Sequence, residues 1–342
     1  MVDIIIPDRF AASLRDRCRL LQRTVALPES QDARVLQAAA LLCEYGSVAK
    51  VILWGEERGL VALARQNSID LGKWRDRLTF IENDQQLVCS LTERHQEQLA
   101  RKGQIITPAQ LTAFAQSPLN QAGQLLHEGR VHAVVAGSVA TTAEVIRAGL
   151  STVGLLAGLK TVCGAFIMHR ERLDGLAETY LYGDSAVVIE PTDAQLVDIA
   201  AALAHGFTAM GLGHEARVAF LSFSTKGSAK HPRQERMSRA AAAFKEKYPT
   251  LLADGELQFD AAYDAAVAAR KCPGSPVAGR SNCFVFPDLD SGNIAYKVTQ
   301  RLGGFAAYGP ILLGLALPFS DLSRGASPED IAVTAMINLL RA

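Results

Sequence analysis

Apolar and polar positions along this 342-residue chain fall into an alternating series of helix-period and strand-period segments. Residues 8–23 read as an amphipathic helix, and Thr24-Val25-Ala26-Leu27-Pro28 as a strand. A helix over 32–45, a strand over 48–53, a helix over 56–66 and a short strand over 78–81 follow. The apolar run 131–136 predicts another strand, then a Gly-Ser turn and a helix over 142–150. Strands alternating with helices predict an α/β protein with a parallel sheet covered by helices. A second series begins near residue 160, with strands expected at 161–168, 185–190, 218–223 and 283–286. Helices fit 193–210, 233–247 and 260–270, the polar stretch 169–178 reads as a loop, and a last helix starts after Ser327. No internal repeat, low-complexity stretch or Pro/Ser-rich linker is seen, so two closely packed halves are expected.

One segment, 302–320, has no charge and invites a membrane reading. It contains Gly303, Gly304, Gly309, Gly314, Pro310 and Pro318, and six breakers in one span favour a buried strand–turn–strand over a spanning helix. The apolar run at residues 1–7 meets Asp8 and Arg9 at once and has neither a basic n-region nor a cleavage site, so it does not read as a signal peptide. The length predicts two domains. Apolar residues at 49% and charged residues at 20% describe a folded, soluble protein. Lys+Arg 35 balances Asp+Glu 35, which leaves no excess charge to neutralise a phosphate backbone, and 6% aromatics leave little for base stacking. Nucleic acid is therefore excluded as the main partner. The six cysteines form no Cys-x-x-Cys pair and read as reduced, buried, structural thiols of a cytoplasmic protein.

Two nucleotide motifs are set aside. Gly274 to Ser281 resembles a Walker A loop with Arg280 in place of Lys, but a helix-like run precedes it and a strand follows, the reverse of the order a P-loop needs. Gly211-Leu-Gly213 lacks the third glycine of a dinucleotide fingerprint and reads as a helix C-cap. The seven histidines show no H-E-x-x-H spacing, and no metal site is expected.

Three apolar strands run into small hydroxyl residues. The first is Val134 to Thr142, with Ser138, Thr141 and Thr142, and Arg147 on the helix beyond. The second is Phe220 to Ser228, carrying Ser224, Thr225, Lys226, Gly227 and Ser228. The third is Asp321-Leu-Ser323-Arg324-Gly-Ala-Ser327, before the last helix. Ligands of open α/β sheets collect beyond the carboxyl ends of strands, and hydroxyls, amides and helix N-termini there favour anions. Arg147, Lys226 and Arg324 add charge, and an arginine fork can grip a phosphate. The pattern points to a small phosphorylated or carboxylated ligand. The competing reading is structural: Thr141-x-x-Glu144 and Ser327-x-x-Asp330 both fit capping boxes, and Lys226 fits a solvated loop charge.

Seven ordered blocks then carry a resemblance: Leu221-Ser-Phe-Ser-Thr-Lys-Gly-Ser-Ala229, Asp254-Gly-Glu-Leu-Gln-Phe-Asp260, Val285-Phe-Pro-Asp-Leu289, Gly292-Asn293-Ile294, Tyr296-Lys297, Gln300-Arg-Leu-Gly-Gly-Phe305 and Asp321-Leu-Ser-Arg-Gly325. With weaker similarity through Gly137 to Leu150, Lys160-Thr161-Val162 and Leu27-Pro28-Glu29, the chain resembles the phosphate acetyl/butyryltransferase family over nearly its whole length. The resemblance implies an isocitrate/isopropylmalate dehydrogenase-like fold. Domain I would be 1–161 and 316–342, and domain II the inserted 162–315, with the active site in the cleft between them. It implies a homodimer and the reaction acetyl-CoA + phosphate ⇌ acetyl phosphate + CoA, with no bound metal or redox cofactor and CoA or acetyl-CoA as substrate. By the matched motifs, Ser323 is the transition-state serine, Arg324 the arginine for acetyl phosphate, Asp330 the base, and Arg147 lies near the anionic substrate. Arg101 of Arg101-Lys102-Gly103 is the nearest counterpart of a further family arginine, at a different spacing. Ala326 stands where the family commonly has Cys, Ser117-Pro-Leu-Asn120 replaces Asp-Pro-Leu, and 169–182 is more polar than usual. These departures bear on acyl preference.

The implied chemistry needs a thiolate, donors for a developing oxyanion and cations for the leaving phosphate. Asp330, Ser323 with nearby amides, and Arg324 with Arg147 would supply them, CoA attacking directly without an acyl-enzyme. A carboxylate near pKa ~3.9 is a weak base for a thiol near ~8.5, so Asp330 serves only if desolvated or if cations acidify the thiol. The rivals are a butyryltransferase with a wider acyl pocket, a nicotinamide-dependent hydroxy-acid dehydrogenase, for which no aspartate cluster is found, and a non-catalytic regulatory module. The sequence leaves open general acetate metabolism or a dedicated pathway, such as one within a microcompartment.

Overall fold

The computed structural model describes residues 9–82, 84–172, 174–213 and 215–342; the apolar run Met1–Pro7, with Asp8 from the start of the first predicted helix, lies outside them. Contacts divide the chain into two compact units. One runs up to Gly154 and resumes over Leu315–Ala342; the other is Leu155–Gly314.

The first unit contains α1 (Arg9–Leu21), β1 (Thr24–Leu27), α2 (Ala33–Glu44), β2 (Lys50–Trp54), α3 (Glu57–Gln66), a 3-10 turn (Gly72–Arg77), β3 (Leu78–Ile81), α4 (Gln85–Arg101), α5 (Pro108–Gln116), α6 (Pro118–His127), β4 (Ala133–Val135) and α7 (Thr142–Thr152). The second holds β5 (Cys163–Glu171), β6 (Ala177–Gly183), α8 (Asp193–Ala209), β7 (Arg217–Leu221), α9 (Pro232–Lys247), β8 (Leu252–Leu257), α10 (Phe259–Tyr263), α11 (Ala265–Lys271), β9 (Cys283–Val285), α12 (Leu289–Arg301) and β10 (Ala306–Leu313). The chain then returns to the first unit for β11 (Phe319–Ser320) and α13 (Pro328–Arg341).

The first unit is built on a parallel five-stranded sheet ordered β11-β4-β1-β2-β3. Its strands are short and apolar on both faces, as burial between two helical layers requires. Val25, Ala26 and Leu27 are buried, as are Val134 and Val135. α13 packs on α1, α2 and β4, with Ile331 to Leu339 buried in an unbroken run. Proline and a side-chain cap start several helices: Thr107 before Pro108, and Ser327 before Pro328.

The second unit carries a six-stranded sheet, β10-β5-β6-β9-β7-β8. It is mixed rather than wholly parallel, because β10, β5 and β6 pair antiparallel. The stretch 169–178, expected as a loop, includes the ends of a hairpin. Its polar side chains satisfy one another across the strands, His169 with Thr179 at 2.9 Å and Arg170 with Glu178 at 2.6 Å. The strand expected at 185–190 does not form. The buried Asp184 carboxylate accepts from the amides of Ala186, Val187 and Val188 and also from Gly164, so these amides are held by a side chain rather than a ladder. The helix expected over 260–270 is two helices, α10 and α11. Asp264 sits extended between them and caps α11 through the amides of Ala266 and Val267. Helices α4, α5, α6 and α12 and strands β6 and β8 lie where no element was predicted. The uncharged segment 302–320 supplies β10 and β11, and no helix among the described residues is long and apolar enough to cross a membrane. Five cysteines are buried, but Cys89 on α4 is exposed, a correction to the reading of all six as core thiols.

Gly211 follows α8 at φ +61° and Leu212 N–H returns to the Phe207 carbonyl, the geometry of a helix C-cap. The Walker-like run at 274–281 follows α11 and precedes β9, so the order is the reverse of a P-loop.

Candidate active site

Three neighbouring parallel strands of the first unit, β11, β4 and β1, each end in a loop that carries polar residues. β1 hands on to Pro28 and Glu29, β4 to residues 136–142, and β11 to Asp321 and the Ser323-Arg324 segment. The β4 loop curls its backbone amides around one carboxylate. Glu29 Oε2 accepts from Gly137 N–H at 2.6 Å, Ser138 N–H at 2.7 Å and Ser138 Oγ at 2.9 Å; Oε1 accepts from Val139 N–H at 3.2 Å and Ala140 N–H at 2.6 Å. The amides that composition suggested for a substrate anion thus hold an anion of the chain itself. Each charge-assisted bond of this kind contributes roughly 1.5–3 kcal/mol.

Gly137 makes the turn possible. Its φ is +105°, and a Cβ there would meet Asp321 Oδ1 at 2.2 Å and the Leu322 amide at 2.7 Å. Asp321 is only 1% exposed. Its Oδ2 accepts from Thr142 Oγ1 at 2.6 Å, while Oδ1 is buried without a hydrogen-bond partner. Burial lifts the Asp321 carboxyl to about 6 against the hydrogen bond from Thr142 and the pull of the nearby Leu322 amide dipole, and Glu29 adds to the lift.

Arg34, in the first turn of α2, ties the β4 and β11 loops together. It forms a bidentate pair with Asp32 and donates to the carbonyls of Arg324 at 2.7 Å, Ala326 at 3.0 Å and Ser138 at 3.0 Å. Ser323 and Arg324 are exposed; Ser323 Oγ accepts from Gly325 N–H at 3.3 Å. Both expected capping boxes are present. Thr141 and Glu144 cap α7, and Ser327 and Asp330 cap α13, where Asp330 Oδ2 accepts from Ser327 N–H and Oγ, each at 2.9 Å.

A pocket of about 710 Å³ adjoins the β4 loop and is lined by Glu29, Val139, Ala140, Arg147, His95 and Phe114 among others. His95 stacks on Phe114 with ring centroids 3.6 Å apart, and burial holds its pKa down. Arg101 does not line this pocket. It is exposed in the last turn of α4 and faces Glu97 at 3.5 Å, so the residue that α4 brings to the pocket is His95.

The remaining candidates, residues 224–228, follow β7 in the second unit. Lys226 pairs with the buried Asp254, to which Lys245 also donates at 3.2 Å. Burial would raise the Asp254 pKa, but Lys226, Ser275 and the Gly255 amide together outweigh it and the carboxyl lies below its ordinary value. Glu256 accepts from Ser224 Oγ at 3.0 Å and Gly227 N–H at 2.7 Å, and Thr225 Oγ1 accepts from Gln258 N–H at 2.9 Å. The loop is closed upon its own acidic residues.

Sequence reasoning brought Ser138, Thr141, Thr142, Ser323, Arg324 and Asp330 to adjoining loops of one sheet but passed over Glu29, Arg34, Asp321 and His95. Glu29 and Asp321 did carry a signal, an acidic residue at or just past the end of an apolar strand. Arg34 and His95 carried none, since charged residues on amphipathic helices are ordinary.

An α/β protein that arrays hydroxyls, arginines, a part-buried and a buried carboxylate at three adjacent strand ends has the parts of a group-transfer site for an anionic substrate. Residues 9–339 match the family described as phosphate acetyl/butaryl transferase, and the chain belongs to it. It is 38% identical over 342 residues to a phosphate acetyltransferase of Treponema pallidum (strain Nichols), a comparison that covers 97% of this chain and 98% of that one. A crystal structure of a phosphotransacetylase from Streptococcus pyogenes superposes with a TM-score of 0.85 at 33% identity, covering 98% of each chain. A 4-hydroxythreonine-4-phosphate dehydrogenase from Klebsiella pneumoniae is similar in fold alone, with a TM-score of 0.53 at 14% identity over 92% of this chain and 98% of that one.

Proposed function

We propose that this protein is a phosphate acetyltransferase, catalysing acetyl-CoA + phosphate ⇌ acetyl phosphate + CoA. The observation that carries the reading is a family match that runs from residue 9 to 339 and so includes both the β4 loop and the Asp-Leu-Ser-Arg-Gly loop. In this reading CoA thiolate attacks the acetyl carbonyl directly. Ser323 and neighbouring amides donate to the oxygen on which charge develops. The Arg324 fork and Arg147 hold the phosphoryl oxygens and ease phosphate departure. Asp330 stands where the resemblance puts the base, on a carboxylate that also caps α13. Ser138, Thr141, Thr142, Ser224, Thr225, Gly227 and Ser228 remain proposed substrate contacts, whereas Lys226 is expected to act through Asp254. The chemistry as written needs no bound cofactor; CoA enters as substrate.

The two α/β units are proposed to follow the isocitrate/isopropylmalate dehydrogenase plan, with domain I at 1–161 and 316–342 and domain II at 162–315; the fold likeness to a dehydrogenase supports it. A cytoplasmic homodimer is proposed as well. Its support is the exposed apolar stripe of α12 and its C-cap, where Ile294, Val298 and the capping Leu302 recur every four residues at 60%, 50% and 85% exposure. Sedimentation or light scattering tests the dimer.

The activity test is release of CoA from acetyl-CoA, followed by thiol titration with and without phosphate. Phosphate-dependent release with acetyl-CoA preferred over butyryl-CoA is expected. Release that ignores phosphate would remove the reading, and preference for butyryl-CoA would move it to the longer acyl group.

A further inference from the structure

The five donors on Glu29 are neutral: the four backbone amides of residues 137–140 and the Ser138 hydroxyl. Successive N–H groups that converge in this way form a nest, the backbone geometry that holds phosphate in many α/β proteins. Here the anion comes from the chain, on a rigid stem. Pro28 fixes the backbone on one side. On the other side buried Ser30 donates to the Leu27 carbonyl at 2.7 Å and accepts from the Trp54 amide at 2.9 Å. The charge on Glu29 has a cost, because it adds to the lift on the buried Asp321 carboxyl. A glutamine would fill the same volume without that repulsion. Glu29 and Ala140 also line the 710 Å³ pocket together with Arg147, one of the arginines that the acetyl-transfer reading gives to phosphate.

Resting on that reading, we infer that Glu29 is a positioning residue that occupies the β4 nest in place of phosphate and so leaves the phosphoryl group to the arginines. Glu29 touches no reacting atom in this role. A transferring phosphoryl group has one productive position, and a second oxyanion site on the same pocket would draw it away. A tethered carboxylate wins the nest from free phosphate. Its effective concentration is of order millimolar or more, and its freedom is already lost on folding.

The surroundings divide the work. Arg34, paired with Asp32, donates to the Ser138 carbonyl, so it answers the acceptor side of the β4 loop and leaves the donor side to Glu29. Gly137, at φ +105°, turns the first amide of the nest inward. The same loop leads into α7, which starts at Thr142 and carries Arg147 in its second turn, so the bonds that exclude phosphate also fix the helix that presents an arginine to it.

The experiment measures acetyl-CoA formation from CoA and acetyl phosphate, with melting temperature in parallel. The probes are sodium formate, a carboxylate small enough to enter an emptied nest, and inorganic phosphate, with sodium chloride at matched ionic strength as control. Glu29→Ala alone should be inactive and melt below the parent. Formate should restore its turnover and raise its melting temperature while leaving the parent unchanged. In the formate-restored variant phosphate should inhibit with a Ki roughly tenfold below that of the parent, and more formate should relieve the inhibition. Glu29→Gln decides the matter if Glu29→Ala folds poorly. It keeps the shape, but its NH₂ faces donors it cannot satisfy, so turnover should fall roughly tenfold and sensitivity to phosphate should rise. Formate rescue of Glu29→Ala with no added sensitivity to phosphate would make Glu29 a structural filler and overturn the inference. So would Glu29→Gln with the parent's turnover and melting temperature. A parent with no turnover overturns the acetyl-transfer reading and this role with it. An active parent beside a folded Glu29→Ala that ignores formate overturns the role of Glu29 alone.

Discussion

Two loops of similar composition leave parallel strands in the two units, residues 137–142 after β4 and residues 224–228 after β7, and both wrap around acidic residues of the chain. Around 224–228 the charges cancel. Lys226 and Lys245 answer Asp254, and Glu256 is held by Ser224 and the Gly227 amide. Around 137–142 two carboxylates meet. Glu29 takes the amides, and Asp321 is left with one hydroxyl and one unpartnered oxygen. Hydroxyl-rich strand ends are thus not equivalent sites. What separates them is hydrogen-bonding and protonation capacity left over after the fold is satisfied, and strained or unsatisfied groups collect where proteins do chemistry.

The comparison breaks first at Glu29. Glu29→Ala would strand the amides of residues 137–140, and it should cost ~3–5 kcal/mol and abolish turnover, read by denaturant melts and CoA release. A variant that melts normally would mean water fills the nest as well as the carboxylate does.

Asp321 separates the loops by pH. Its folded pKa, about 6, exceeds the ordinary 3.8, so the protonated form is favoured in the folded state. The associated stability is complete below about 3.8 and is lost as pH rises to about 6. Asp321→Asn does not titrate, so its stability relative to the parent should climb by up to ~3 kcal/mol over that window and then level off. A difference that stays constant with pH would place Asp321 among ordinary, solvated carboxylates.

In the second loop, Lys226→Met should cost ~1–2 kcal/mol, less than full loss of an ion pair because Lys245 still faces Asp254. Any loss of turnover should follow the loss of folded protein. A variant of unchanged melting temperature whose KM for CoA rises tenfold would return Lys226 to direct substrate contact.

The smallest expected stability change belongs to Asp330→Asn, at about 1 kcal/mol or less, since Asn caps nearly as well as Asp. Turnover of this variant weighs the position-matched base against the helix cap. A drop of 10² or more with the fold intact supports Asp330 as acceptor of the thiol proton, and a small change supports the cap.

Much of the first unit was legible because its signals are local. Short apolar runs between amphipathic segments produce β1 to β4, and Thr141 with Glu144 and Ser327 with Asp330 announce two helix starts over a span of four residues each. Legibility failed where a side chain competes with the backbone. Asp184 draws in the amides of an apolar run that would otherwise pair as a strand, and Asp264 divides one expected helix into two. The polar hairpin ends at 169–178 read as a loop because their partners are across the sheet rather than along the chain.

By itself the sequence determined the class of element at most positions, the family, and the hydroxyl and arginine residues at the strand ends, because periodicity, capping and motif order are properties of neighbours in the chain. Only the tertiary structure decided which of those residues keep free chemical capacity. Glu29 reaches amides more than a hundred positions away, and Asp321 meets Thr142 across 179 positions, because β11, β4 and β1 lie side by side in the sheet. Burial and pairing are set by what arrives from distant segments, and these set the protonation of a carboxylate.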